Sequence, residues 1–141
     1  MEKAQKKCVF FYVGGNQMEK TIKIGDKAFN MSSSAYTQFK YKNDTGRSLM
    51  ADIVEFQDKY KILLDEKNAE ENIAEFMSKF EEALDMILRI AFIMTNECDK
   101  NQAQTYEDFM KQIDNYYESL DWLNEVVELA TAPFHRGIQA N

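Results

Sequence analysis

A single proline in 141 residues, Pro133, most constrains what this chain can fold into. Only five glycines accompany it. Both residue types interrupt regular backbone, so their scarcity argues for long unbroken elements, hence helices. The longest is expected from about Ala69 to Asn96. There Ile73, Phe76, Met77, Phe80, Leu84, Ile87 and Leu88 recur at three- and four-residue steps, the stripe of an amphipathic helix. Glu70, Glu71 and Glu75 sit in its early turns, where carboxylates suit the positive end of the helix dipole. From Ile87 to Met94 it is apolar on nearly every side except Arg89. Such a helix is either central in the core or covered by a partner, and the core is the commoner case. Phe80, Leu84, Leu88 and Phe92 are therefore expected to be buried.

The N-terminal third follows a different period. Thr21 to Ile24 alternate polar and apolar as a half-buried strand does, and Gly25-Asp26 forms a tight turn. Ala28, Phe29 and Met31 continue on a return strand, and Ser32, Ser33 and Ser34 offer three capping oxygens ahead of Ala35. Tyr36, Phe39 and Tyr41 follow at near-helical spacing until Asn43-Asp44-Thr45-Gly46 stops the helix. The fold class is thus mainly α: a helical domain with a small N-terminal β-hairpin.

This order of parts resembles the N-terminal region of tail assembly chaperones from long-tailed, siphovirus-like phages and prophages of Gram-positive bacteria. The matching residues are Phe39-Lys40-Tyr41-Lys42 and the step Gly46-Arg47-Ser48-Leu49 into the next helix. From Asn68 onward the likeness is one of kind only: acidic and helical. The resemblance implies a non-enzymatic protein of the host cytoplasm that binds the tape measure protein and keeps it soluble. It also implies help in recruiting tail tube subunits, and absence from the mature virion. Many such chaperones are made in two lengths by frameshifting, and this chain would be the shorter form beside a longer isoform. An oligomer stays open. The alternatives are a structural head–tail connector or other virion component, and a small helical regulatory adaptor.

The net charge of −7 is unevenly spread. Residues 1–67 hold 12 basic and 9 acidic side chains, and residues 68–141 hold 5 and 15. Phosphate contacts need clustered Lys and Arg, so the acidic half argues against nucleic acid as a partner. It suits solubility or a basic, amphipathic client. Cys8 and Cys98 make no disulfide framework and fit a reducing compartment. Lys3, Lys6 and Lys7 before CVFFYVGG imitate a signal peptide faintly, but the apolar run is short. No run approaches a membrane span. Residues 1–17 have two readings. They are an upstream extension with translation starting at Met18, because Gly14-Gly15-Asn16-Gln17 can encode a ribosome-binding sequence, or VFFYV is an extra strand on the hairpin edge. One domain is expected over 18–132, followed by a loose tail over 133–141.

After Gly46, Leu49, Ile53, Val54 and Phe56 are expected on one apolar side of a helix, with Asp52, Glu55 and Asp58 between them. Thr105 through Asp108 reads as a capped helix start. An apolar stripe then runs from Tyr106 to Leu120, with a break near Ser119 or Asp121, and Pro133 is expected to end the last helix. No chemistry is legible. His135 is the one histidine, no zinc or calcium spacing exists, and no glycine loop suits a phosphate. No enzyme, metal or cofactor is expected. The expected client surface is a semi-exposed patch of some of Tyr106, Tyr116, Tyr117, Trp122 and Phe134 with Met110, rimmed by Glu107, Asp114, Glu118 and Asp121. Lys40 and Arg47 are the second candidate region.

Overall fold

The computed structural model describes residues 12–13, 17–65, 73–116 and 119–139. Strands β1 (Tyr12–Val13), β2 (Gln17–Ile24) and β3 (Lys27–Ser33) form an antiparallel sheet in that order. Helices α1 (Ala35–Thr45), α2 (Leu49–Asp65), α3 (Ile73–Cys98), α4 (Tyr106–Lys111) and α5 (Asp121–Gln139) follow. The chain is mainly α with a small hairpin, as expected from its periodicities.

The hairpin pairs Ile22 with Phe29 and Ile24 with Lys27, so only Gly25-Asp26 form the turn. Gly25 has φ +65°, and its missing side chain is needed twice. A Cβ there would lie 1.8 Å from the carbonyl oxygen of Asp114, so the hairpin tip sits directly on the backbone beyond α4. Asp26 accepts a hydrogen bond from Asn115 Nδ2 at 3.1 Å. Ile22, Ile24, Phe29 and Met31 turn to the core, while Thr21, Lys23 and Ala28 face out. α3 packs against β3, and α5 packs against β2 and β3, so these two helices cover the inner face of the sheet. α1 and α2 pack on α3, the central helix.

Phe80, Leu84, Ile87, Leu88, Ile90 and Ala91 are buried, as is Met94 at the end of the apolar run. Phe92 is only half-buried, at the edge of a ring cluster. Its centroid lies 5.9 Å from Tyr106 and 5.8 Å from Phe109, and Phe109 in turn lies 4.8 Å from Phe29. The outer edge of β3 is closed by a side chain. Gln102 accepts from the Asn30 N–H at 2.7 Å and donates to the Asn30 carbonyl at 2.8 Å, standing in for a neighbouring strand.

Several elements depart from the sequence expectation. Ser32 and Ser33 remain in the strand and are buried, and Ser34 alone caps α1. Val54, expected on the apolar side of α2, is exposed, and Asp52 is buried on the same helix face as Leu49, Ile53 and Phe56. α4 has only six residues and ends at Lys111, well before Ser119. Docking on the hairpin tip overrides helical propensity there: Ile113 turns inward, and Asn115 takes φ +53°. Pro133 lies inside α5 and does not end it, so the expected tail over 133–141 begins as helix. A proline costs one backbone bond to the preceding turn. In that turn the Thr131 hydroxyl donates to the Val127 carbonyl at 2.9 Å, and the Ala130 carbonyl accepts from Ser33.

Candidate functional site

Two surfaces flank α1. The first is a cleft of about 330 Å³ among α1, α2 and α3, with Tyr41, Asp52 and Ala83 in its wall. Gly46, in the left-handed region at φ +76°, ends α1 and donates to the Lys42 carbonyl at 2.7 Å. That turn aims Arg47 back across the start of α2. Its Nη2 reaches Asp52 Oδ1 at 2.6 Å and its Nε reaches Oδ2 at 2.8 Å, a two-pronged guanidinium–carboxylate pair. The Tyr41 hydroxyl donates to Asp52 Oδ2 at 2.5 Å. Burial alone would raise the Asp52 pKa. The hydrogen bonds from Arg47 and Tyr41, with the Arg47 charge, outweigh it and hold the carboxyl below the usual aspartate range. The Tyr41 phenol is pushed well above its ordinary value by burial and by Asp52. Glu55 lies 3.6 Å from Arg47 Nη2 and 2.9 Å from Lys59 Nζ, extending the charge row along α2. Across the cleft, Arg89 stacks 4.3 Å above the Tyr106 ring, and the Tyr106 hydroxyl donates to Asp85 at 2.8 Å. Charges here are spent on holding helices together.

The second surface is the outward side of α1. Only Thr37 and Tyr41 of this helix are buried. Its N-terminus is fastened by a reciprocal cap. The Tyr36 N–H donates to Ser34 Oγ at 3.1 Å, and the Ser34 N–H donates to Thr37 Oγ1 at 3.0 Å. Both hydroxyls then donate to Glu97 of α3, at 2.6 and 2.5 Å. Glu97 thus brings an acidic side chain from another helix to the first turn of α1, which has none of its own. Burial pushes the Glu97 pKa up, against the lowering effect of the two hydroxyls. With this inner edge pinned, Tyr36 and Phe39 stand outward at 50% and 63% exposure, their ring centroids 6.0 Å apart. A shallow groove of about 550 Å³ runs along Ala35, Gln38, Phe39, Lys42 and Asn43.

The client patch expected near α4 loses Trp122 to the core, while its other described aromatics and Met110 are half-buried. Trp122 is buried, with its Nε1 donating to the Tyr116 carbonyl at 3.1 Å, so it is a core side chain. Tyr106, Met110 and Tyr116 are half-buried and packed on the core, and Tyr106 is held by Asp85. Phe134 is half-buried, Asp114 and Asp121 are exposed, and Glu107 pairs with Lys111 at 3.3 Å. Tyr117 and Glu118 lie outside the described residues. Of the second candidate region, Lys40 pairs with Asp44 at 3.3 Å and Arg47 is committed to Asp52. Tyr36 and Phe39 were legible as helix residues but not as surface residues, because their spacing fits either side of α1. Among the described residues no three His, Cys, Asp or Glu side chains converge to hold a metal ion, and no helix is long and apolar enough to cross a membrane. Comparison with family models, curated proteins and solved structures finds no match to this chain.

Proposed function

We propose that this chain is a phage tail assembly chaperone, a binding protein and not an enzyme. In this reading it holds the tape measure protein in solution and helps recruit tail tube subunits. The observation that carries the reading is the outward side of α1. Tyr36 and Phe39 stand exposed side by side on the helix whose residues carry the family resemblance. Two adjacent exposed aromatic rings forgo the free energy of burial, which a client recovers. Aromatic side chains that lose little freedom on docking are the usual anchors of binding surfaces. The acidic half of the chain, from residue 68 onward, then keeps the loaded complex soluble.

Co-expression with the adjacent tape measure protein tests this reading. The wild-type chain should keep the client in the soluble fraction. The double substitution Tyr36→Ala, Phe39→Ala should lose it while helix content and Tm stay unchanged. A client that stays insoluble beside the wild-type chain would overturn the reading, as would recovery of this chain from purified virions.

A further inference from the structure

We propose that the outward stripe of α1 docks an acidic amphipathic helix, with Phe39 as the apolar anchor and Lys42 as the charge reader. The inference rests on α1 being the binding face, and it specifies the chemistry of the segment bound. Ala35, Gln38, Phe39 and Lys42 recur at the i, i+3, i+4, i+7 spacing of a continuous helix face. That face lies opposite the one on which Thr37 and Tyr41 are buried. Its groove holds one ring, two amide side chains and one charge, the Lys42 ammonium. Lys40 beside it is neutralised by Asp44, whereas Lys42 has no acidic partner within salt-bridge distance among the described residues. An aromatic ring next to an unneutralised cation is complementary to a helix that sets carboxylates beside aliphatic residues.

A second copy of this chain fits less well. Its acidic half has the charge, but the large hydrophobics that the described residues expose are Tyr36, Phe39 and Val54, all on α1 and α2. Among its described residues, that half thus offers no exposed large apolar side chain for Phe39 to bury against. A symmetric α1–α1 contact would bring two Lys42 side chains together.

The test uses the purified full chain and two fluorescein-labelled helical peptides about 18 residues long, roughly five turns. They share one leucine face and differ in carrying Glu or Lys beside it. The Glu peptide should bind with an affinity that falls as salt rises, and the Lys peptide should bind at least about tenfold more weakly. Phe39→Ala should weaken the Glu peptide by about tenfold or more. Lys42→Glu should weaken it by about tenfold and reverse the preference between peptides. Both positions are exposed, so an unchanged Tm should confirm that each variant folds. Equal binding of the two peptides, or binding indifferent to Phe39, would overturn the proposal. So would self-association of the wild-type chain in sedimentation that Phe39→Ala abolishes, because a second copy would then occupy the face. Glu-peptide binding without solubilisation of the tape measure protein would sink the chaperone reading and leave this one standing.

Discussion

Asp52 shares the i, i+3, i+4, i+7 face of α2 with Leu49, Ile53 and Phe56, and it is 2% exposed. A buried carboxylate survives only when paired and hydrogen-bonded. Arg47 and Tyr41 do both, across the turn made by Gly46. Tyr41→Phe keeps the buried ring and removes one hydrogen bond to a charged group. It should cost about 1.5–3 kcal/mol in urea unfolding; a loss near zero would mean that Arg47 alone satisfies Asp52. Glu97 and Asp52 should respond to pH in opposite senses. The Glu97 pKa is raised in the folded chain. Its contribution to stability is therefore fully present below the ordinary glutamate value of about 4.3 and is lost as pH rises through the raised value. The Asp52 pKa is lowered. Its contribution is present above the ordinary aspartate value of about 3.9 and is lost as pH falls through the lowered one. Glu97→Gln should flatten the Tm profile above about pH 4.3 and leave the acid-side loss in place. A profile as steep as that of the wild type would locate the titrating group elsewhere.

At the scale of elements, the two glycines of defined positive φ separate conformational cost from packing cost. Gly46 has open space where a Cβ would stand, so Gly46→Ala meets only the left-handed backbone penalty, about 1 kcal/mol. Gly25 has the same sign of φ, but a Cβ there would collide with Asp114 backbone. Gly25→Ala should therefore lose clearly more than Gly46→Ala, with amide exchange rising at both the hairpin tip and residues 113–116. Equal losses would show that the tip is free to lift off. The same contact explains why α4 stops early. Six residues of helix satisfy the Thr105 cap, and the next residues find their partners in the hairpin and in Gln102.

For the whole molecule, α3 is the element that every layer touches, and Leu84 is 1% exposed within it. Leu84→Ala should cost about 2–5 kcal/mol, the range for truncating a buried leucine, in a single unfolding transition seen alike by tryptophan fluorescence and far-UV dichroism. A loss below about 0.5 kcal/mol would contradict its burial. The burial of Trp122 makes the same point about surfaces: Trp122→Ala should unfold or soften the domain, whereas Phe39→Ala should not. A patch chosen by composition alone put Trp122 outside, because an acidic neighbourhood in sequence says nothing about which side of α5 meets the sheet.

Periodicity by itself determined the mainly helical class, the hairpin with its Gly-Asp turn, the end of α1 at Gly46, and the burial of Phe80, Leu84 and Leu88. Each depends on local backbone preference or on one apolar stripe too long to hide any other way. The tertiary structure alone decided how the buried Asp52 carboxylate is satisfied, that Tyr36 and Phe39 face outward, that α4 ends at Lys111, and that α5 passes through Pro133. These depend on partners distant in sequence or outside the repeat: Arg47 for the carboxylate, Glu97 for the cap that orients α1, the hairpin tip for the loop at Asp114. A three- or four-residue step marks a helix face, but which face is wet is settled by what packs against the other one.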